Sequence, residues 1–95
     1  MKGVKYDKEK RNWSLLPFNE LNDVVDVMTV GAKKYERDNW MRVPNARDRY
    51  FSATMRHLVA WWNGERDDEE TGKSHLAHAV CCILFLMWHD KRRNK

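Results

Sequence analysis

Between Leu76 and Trp88 every residue except His78 is apolar, and no other feature restricts the fold of this chain as much. The run is too short to cross a bilayer, which takes about 20 apolar residues, so it is expected as a helix buried by protein. With its polar flanks the helix should extend from Lys73 or Ser74 to Asp90. On a 3.6-residue period His75, His78, Cys82, Phe85 and His89 fall in one line, and Leu76, Val80, Ile83, Leu84 and Met87 cover the other faces. A chain of 95 residues buries a smaller share of its surface than a long one does. A helix that is apolar on several sides therefore asks for neighbouring helices and, beyond them, for other subunits. Five Trp, three Phe and three Tyr supply area for a compact core.

Two further helices can be read from the same period. From Phe18 to about Lys34, residues Leu21, Val24, Val25, Met28 and Ala32 mark one buried face, with Pro17 near the first turn and Ser14 as a candidate cap. Glu20, Asp23 and Asp26 line a second face of this helix, read as solvated rather than as a metal site. Gly31 weakens the helix late in its course and lets the backbone approach a ligand or a neighbouring helix. A loop around Val43-Pro44-Asn45-Ala46 leads to the next helix, from Arg47 or Asp48 to Asn63. Its expected stripe is Phe51, Met55, Leu58, Val59 and Trp62, and Gly64 is placed to end it.

These elements define an all-α fold, a single domain over residues 1–95 in which helix one packs on an antiparallel helix pair and the whole is dimeric or larger. Residues 1–12 read as an extended arm, Trp13-Ser14-Leu15-Leu16-Pro17 as a segment that docks on the body, and residues 91–95 as a basic tail.

Several function classes drop out. Cys81 and Cys82 are adjacent and cannot form a long-range disulfide framework, which favours a reducing compartment. The residues from Met1 to Lys8 lack the apolar stretch of a signal peptide, so a cytoplasmic location is expected. There is no Gly-rich phosphate loop, paired-Cys metal motif or Ser nucleophile elbow. The net charge of +4, concentrated in the two ends, suits a phosphate-bearing partner and does not separate a nucleotide from a nucleic acid.

The chemistry concentrates between Arg56 and His78. Glu65, Asp67, Asp68, Glu69 and Glu70 place five carboxylates in one short loop, where they repel one another unless a cation is near, so a divalent metal is the natural partner. His75 and His78, one turn apart directly after that loop, can share one ion or one phosphate. His57 and Trp61 lie one turn apart off the second helix's apolar stripe, with Arg56 beside them, and can face a shared cleft. Upstream, Lys33, Lys34, Tyr35, Asn39 and Trp40 combine cations suited to phosphate with rings suited to a base.

Taken together, Lys5 to Pro17, Gly31-Ala32-Lys33-Lys34-Tyr35 with Asn39-Trp40, Arg56-His57-Leu58, Gly64-Glu65, Asp68, Glu70, Gly72 and His75-Leu76-Ala77-His78 resemble the phage dATP/dGTP diphosphohydrolase domain of the MazZ type. That family is linked to the all-α, MazG-like nucleoside triphosphate pyrophosphohydrolases, which are oligomeric and use Mg²⁺. The resemblance implies a purine deoxynucleoside triphosphate as substrate, monophosphate and diphosphate as products, and the host cytoplasm as the place of action. The MazG-like metal motif pairs Glu-x-x-Glu with Glu-x-x-Asp on two helices. Here Glu65 and Asp68 form one acidic pair while His75 and His78 stand in place of the other, so Mn²⁺ or Zn²⁺ joins Mg²⁺ as a candidate.

The expected machinery follows. Glu65, Asp68, Glu70, His75 and His78 form the metal-binding and catalytic set. Lys33, Lys34 and Arg56 grip phosphate, and Tyr35, Asn39, Trp40, His57 and Trp61 complete the substrate contacts. Other readings are a small nucleic-acid-binding or regulatory protein, which the acidic loop disfavours, and a helical domain with a structural metal on His75, His78, Cys82 and one acid. An HD-type phosphohydrolase is weaker, because the only His-Asp doublet, His89-Asp90, ends the last helix.

Overall fold

The computed structural model describes residues 3–93. Among them are three α-helices, α1 (Phe18–Lys34), α2 (Ala46–Trp62) and α3 (His75–Arg92), two short 3-10 turns (Trp13–Leu15 and Asn39–Arg42), and no strand. The all-α class is thus the one the periodicity implies. The third helix is central: it packs along α2 and carries α1 across its other flank. Side-chain pairs along the α2–α3 seam, His57 with His75 and Tyr50 with both Phe85 and His89, show that the two helices run antiparallel.

Local sequence sets the helix ends. Ser74 caps α3 through its hydroxyl, which accepts from the Leu76 N–H at 3.0 Å. At the other end of the connecting loop, α2 closes on Gly64, which adopts φ 101°. The Gly64 N–H donates to Trp61 O and the Glu65 N–H to Ala60 O, the paired bonds of a Schellman motif. A side chain at that φ is strained, so Gly64→Ala should cost about 1–2 kcal/mol of unfolding free energy, read from a urea midpoint. Ser14 does not cap α1. It sits in the first 3-10 turn, held by the Asn12 side chain, and α1 starts after Pro17 with no side-chain cap.

The core is thin. Val24, Ala77 and Cys81 form its centre, with Val27, Met28 and Phe85 packed around them, and the Cys81 thiol donates to Val24 O at 3.3 Å. Burial first, then the neighbouring Cys82, pushes the Cys81 thiol up to about 12, so it behaves as a small apolar side chain rather than a nucleophile. A second cluster is aromatic: Trp40 stacks on Phe85 at 4.5 Å between ring centres and meets Trp88 edge-on. His89 fastens it by donating from Nε2 to Trp40 O at 2.8 Å.

Which faces are buried differs from the expectation. On α3 the His75–His78–Cys82–Phe85–His89 line does face inward, but Leu76, Val80, Ile83, Leu84 and Met87 are exposed. On α2 the expected stripe is mostly outward: Phe51, Met55, Val59 and Trp62 are exposed, while Thr54 is buried and Tyr50, His57 and Leu58 half-buried. On α1, Val25 and Ala32 are likewise exposed. Both α2 and α3 are apolar on two sides, and periodicity identifies an apolar side without saying what covers it. The docking segment is also not docked, since Trp13 and Leu15 are 66% and 80% exposed. The expected basic tail is partly helical, because α3 runs through Arg92, whose guanidinium lies 4.1 Å over the Trp88 ring. Asn94 and Lys95, like Met1 and Lys2 of the arm, lie outside the described residues. No described helix is long and apolar enough to cross a membrane.

Candidate active site

The loop between α2 and α3 is folded back on itself by an antiparallel bridge, Asp67 with Ser74. Asp68 N–H donates to Lys73 O, and His75 N–H donates to Arg66 O. Inside this loop the Asp68 carboxylate accepts from the Glu70 and Thr71 N–H groups, each at 3.1 Å. That is the turn an Asp makes when its side chain caps the backbone two and three residues on. The turn aims Asp68 at the histidines.

Three imidazoles meet it. His57 of α2 lies with its ring stacked on His78, 4.5 Å between centres, and its Nδ1 is 2.8 Å from His75 Nδ1. One ligand atom from each of His57, Asp68 and His75 lies within 4.8 Å of the other two. His78 stands beside them, its Nε2 2.7 Å from Thr71 Oγ1 and 3.7 Å from Asp68. Glu65, thrown under α3 by the Gly64 turn, has an oxygen 3.5 Å from His75 Nε2. That nitrogen is otherwise buried with no hydrogen-bond partner.

Electrostatics act on two of the rings and on the carboxylate. Burial, then the charges His78 and His75 would carry, pushes the His57 pKa below its ordinary 6.5. Burial does the same to His78, against a smaller opposing pull from Asp68. Burial alone would raise the Asp68 carboxyl, but the Thr71 N–H and the nearby imidazoles outweigh it and hold the group below the usual range. Both shifts favour the neutral forms of His57 and His78 beside an ionised Asp68, and a neutral imidazole and a carboxylate are the forms that bind a metal ion. The donor set fits a divalent cation. His75, with a carboxylate behind its second nitrogen, has the arrangement that fixes the ring of a metal-bound histidine.

These shifts have a sign for stability. Where the folded pKa of a His lies below its unfolded value, the unfolded chain binds more protons in that window. Metal-free protein should then lose stability as the pH falls below 6.5, a loss that Asp68 joins only below 3.8. Urea midpoints in a chelating buffer at about pH 7.5 and about pH 5.5 test this; equal midpoints would contradict it.

The cluster opens into a cleft of about 910 Å³ walled by α1, the second 3-10 turn, α2 and α3. Of the residues expected to act, Lys34, Tyr35, Asn39, Trp40, Arg56, His57, Asp68, Glu70 and His78 all line it. They are set differently from one another. Lys34 is 2.7 Å from Glu70 in an ion pair across the cleft mouth, so that pair is satisfied away from the donor cluster. The Glu70 hydrogen bond raises the Lys34 pKa and keeps it charged. Arg56 rests on Ser52 Oγ at 3.0 Å, and the Tyr35 ring is exposed beneath Lys34. Trp40 is a wall, with one ring face already taken by Phe85.

Lys33 and Trp61 do not line the cleft, and Trp61 lies against Trp62 instead. Cys82 stands outside the donor group, so the set His75, His78, Cys82 and an acid is not assembled. His89 and Asp90 are spent on Trp40 O and Arg93. His57, expected among the substrate contacts, lines the cleft and also joins the imidazole cluster, and Thr71 lines the cleft without being among the expected residues. The Asp68-Glu69-Glu70-Thr71 spacing, typical of a side-chain-capped turn, was the signal for the latter.

Comparison with known proteins identifies the family. Residues 1–95 match the family described as dATP/dGTP diphosphohydrolase, N-terminal. The chain is 33% identical over 88 residues to a dATP/dGTP diphosphohydrolase of Salmonella phage PMBT28. The match covers 93% of this chain, which spans about 30% of that relative's length. No solved structure matches it. The match along its whole length shows that the chain belongs to the family of N-terminal domains of dATP/dGTP diphosphohydrolases.

Proposed function

We propose that this domain carries the catalytic centre of a metal-dependent hydrolase that cuts dATP- and dGTP-type nucleoside triphosphates to monophosphate and diphosphate. The observation that carries the proposal is the gathering of His57, Asp68 and His75 within 4.8 Å of one another, beside a cleft that also presents Lys34 and Arg56. The relative's name supplies the substrate class. His57, Asp68 and His75 would hold the cation, and their mixed nitrogen and oxygen donors suit Mn²⁺ or Zn²⁺ as well as Mg²⁺. Such an ion, when bound, neutralises phosphate charge and lowers the pKa of water.

The chain's own side chains do the rest. Lys34 exchanges Glu70 for a phosphate oxygen, and Arg56 meets the charge that grows on the departing diphosphate. His78 takes at Nε2 the proton of the water whose oxygen bonds to the phosphorus as the bond to the diphosphate breaks, while the Thr71 hydroxyl swings its hydrogen toward Asp68 Oδ2, 3.4 Å away. Glu65 holds His75 in orientation, and Tyr35 and Asn39 contact the nucleoside. The nucleic-acid reading is disfavoured because Asp68 and Glu70 line the same cleft and would repel a phosphate backbone.

The same reading takes the protein as a homo-oligomer, since Phe51, Val59, Ile83 and Met87 are all exposed on α2 and α3, and a deoxynucleotide substrate would place it in the cytoplasm. Sedimentation at the mass of a single chain would contradict the oligomer. Product analysis with each deoxynucleoside triphosphate, in Mg²⁺ and separately in Mn²⁺, tests the chemistry. Monophosphate and pyrophosphate from dATP or dGTP are expected. No turnover in folded, metal-loaded protein would overturn the proposal.

A further inference from the structure

Gly31 stands within α1 at a position where any other residue except proline would favour the helix. Close packing does not explain it: beyond its chain neighbours and the adjacent backbone of its own helix, a methyl added at Gly31 would meet no atom within 4 Å. Its φ does not explain it either, because Gly31 is not among the residues with positive φ. A neighbouring helix is a poor candidate for the missing contact. On the helix surface the positions three and four residues away are Met28, Lys34, Val27 and Tyr35, all long or branched, so a second helix would be held off. What these residues make instead is a notch. All four, with Gly31 between them, line the cleft that opens onto His57 and Asp68.

We propose that Gly31 is a specificity-determining residue, the floor on which the flat purine ring of the nucleotide rests, with its triphosphate directed past Lys34 toward the histidine cluster. The inference rests on the function proposed above. A bare backbone admits a planar ring closely, Met28 and Val27 give it apolar walls, and the Tyr35 ring stands at the rim. Lys34, one turn further along α1, is then placed for the phosphates.

The test is binding of dGTP and of inorganic triphosphate to wild type, Gly31→Ala and Gly31→Leu, by calorimetry with Mn²⁺ present, together with thermal midpoints and sedimentation. Both variants should melt a few degrees higher than wild type, since alanine and leucine favour the helix. Both should bind dGTP more weakly, by about tenfold for Ala and more for Leu, and inorganic triphosphate as wild type does. Equal dGTP affinity in all three proteins overturns the role of Gly31 while leaving the hydrolase reading intact. A change of oligomeric mass in the variants, with dGTP affinity unchanged, overturns it in favour of a subunit contact. Wild type that binds neither ligand sinks the hydrolase reading and this inference together.

Discussion

Asp68→Asn should lower affinity for a divalent cation, and turnover with it, by at least about 100-fold, because loss of a group that merely orients a metal ligand already costs about 10–100-fold. The substitution keeps an oxygen that can accept from the Glu70 and Thr71 N–H groups, so the loop should stay folded. It removes the charge and the acidic donor that meets His57 and His75. Glu65→Gln makes the contrast. Its oxygen sits 3.5 Å from His75 Nε2, outside the donor group, so its effect should stay within the range of an orienting residue, about 10–100-fold. Calorimetric Mn²⁺ titration of the two variants, with helicity checked by circular dichroism, separates the roles. Equal losses would mean that Glu65 is itself a ligand, and unchanged affinity in Asp68→Asn would remove the site.

The second large effect concerns stability. Phe85 stacks on Trp40 at 4.5 Å and meets Tyr50 edge-on at 5.2 Å, and it borders the Val24–Ala77–Cys81 core. It thereby joins α1, α2, α3 and the second 3-10 turn. Phe85→Ala should cost about 3 kcal/mol in a urea unfolding curve, at the low end for Phe because the ring is half-buried. It should also loosen Trp40 and with it one wall of the cleft. A cost below about 1 kcal/mol would show that the aromatic cluster does not hold these elements together.

The helices were legible because long stretches keep a 3.6-residue period between clear stops. The bounds of α1 agree with expectation, α2 begins one or two residues early at Ala46, and α3 runs two residues past Asp90 to Arg92. Gly64 ends α2 as expected, with a positive φ. What the pattern could not decide is which of two apolar sides faces the chain's own core. On α2, the line carrying Tyr50, Thr54 and His57 is inward although it contains polar groups, and the plainly apolar line through Phe51, Met55, Val59 and Trp62 is outward. Polar groups turn inward there because they find partners: Thr54 Oγ1 donates to Tyr50 O at 2.6 Å, and His57 meets His75.

The site was legible in part for the same reason. Clustering of acids and histidines in sequence located the loop and the start of α3. Spacing could not show that the Asp68 turn points one carboxylate inward while Glu70 turns out to Lys34. Nor could it bring His57 across from α2, since that contact depends on the register of the α2–α3 pair. Gly31 illustrates the reverse case. Its sequence left a ligand and a helix as alternatives, and the open space at Gly31 together with its place in the cleft lining is what motivates the ligand.

The most direct test of the account is an imidazole nitrogen NMR titration with Zn²⁺ on the wild-type protein. All four histidines report separately, and His89, tied to Trp40 O at the far end of α3, serves as the internal control. The account predicts that His57 and His75 shift together to the values of metal-bound nitrogens, saturating at one ion per chain, while His89 does not move. Four histidines shifting weakly and in parallel, or His57 and His75 unmoved at saturating Zn²⁺, would contradict it.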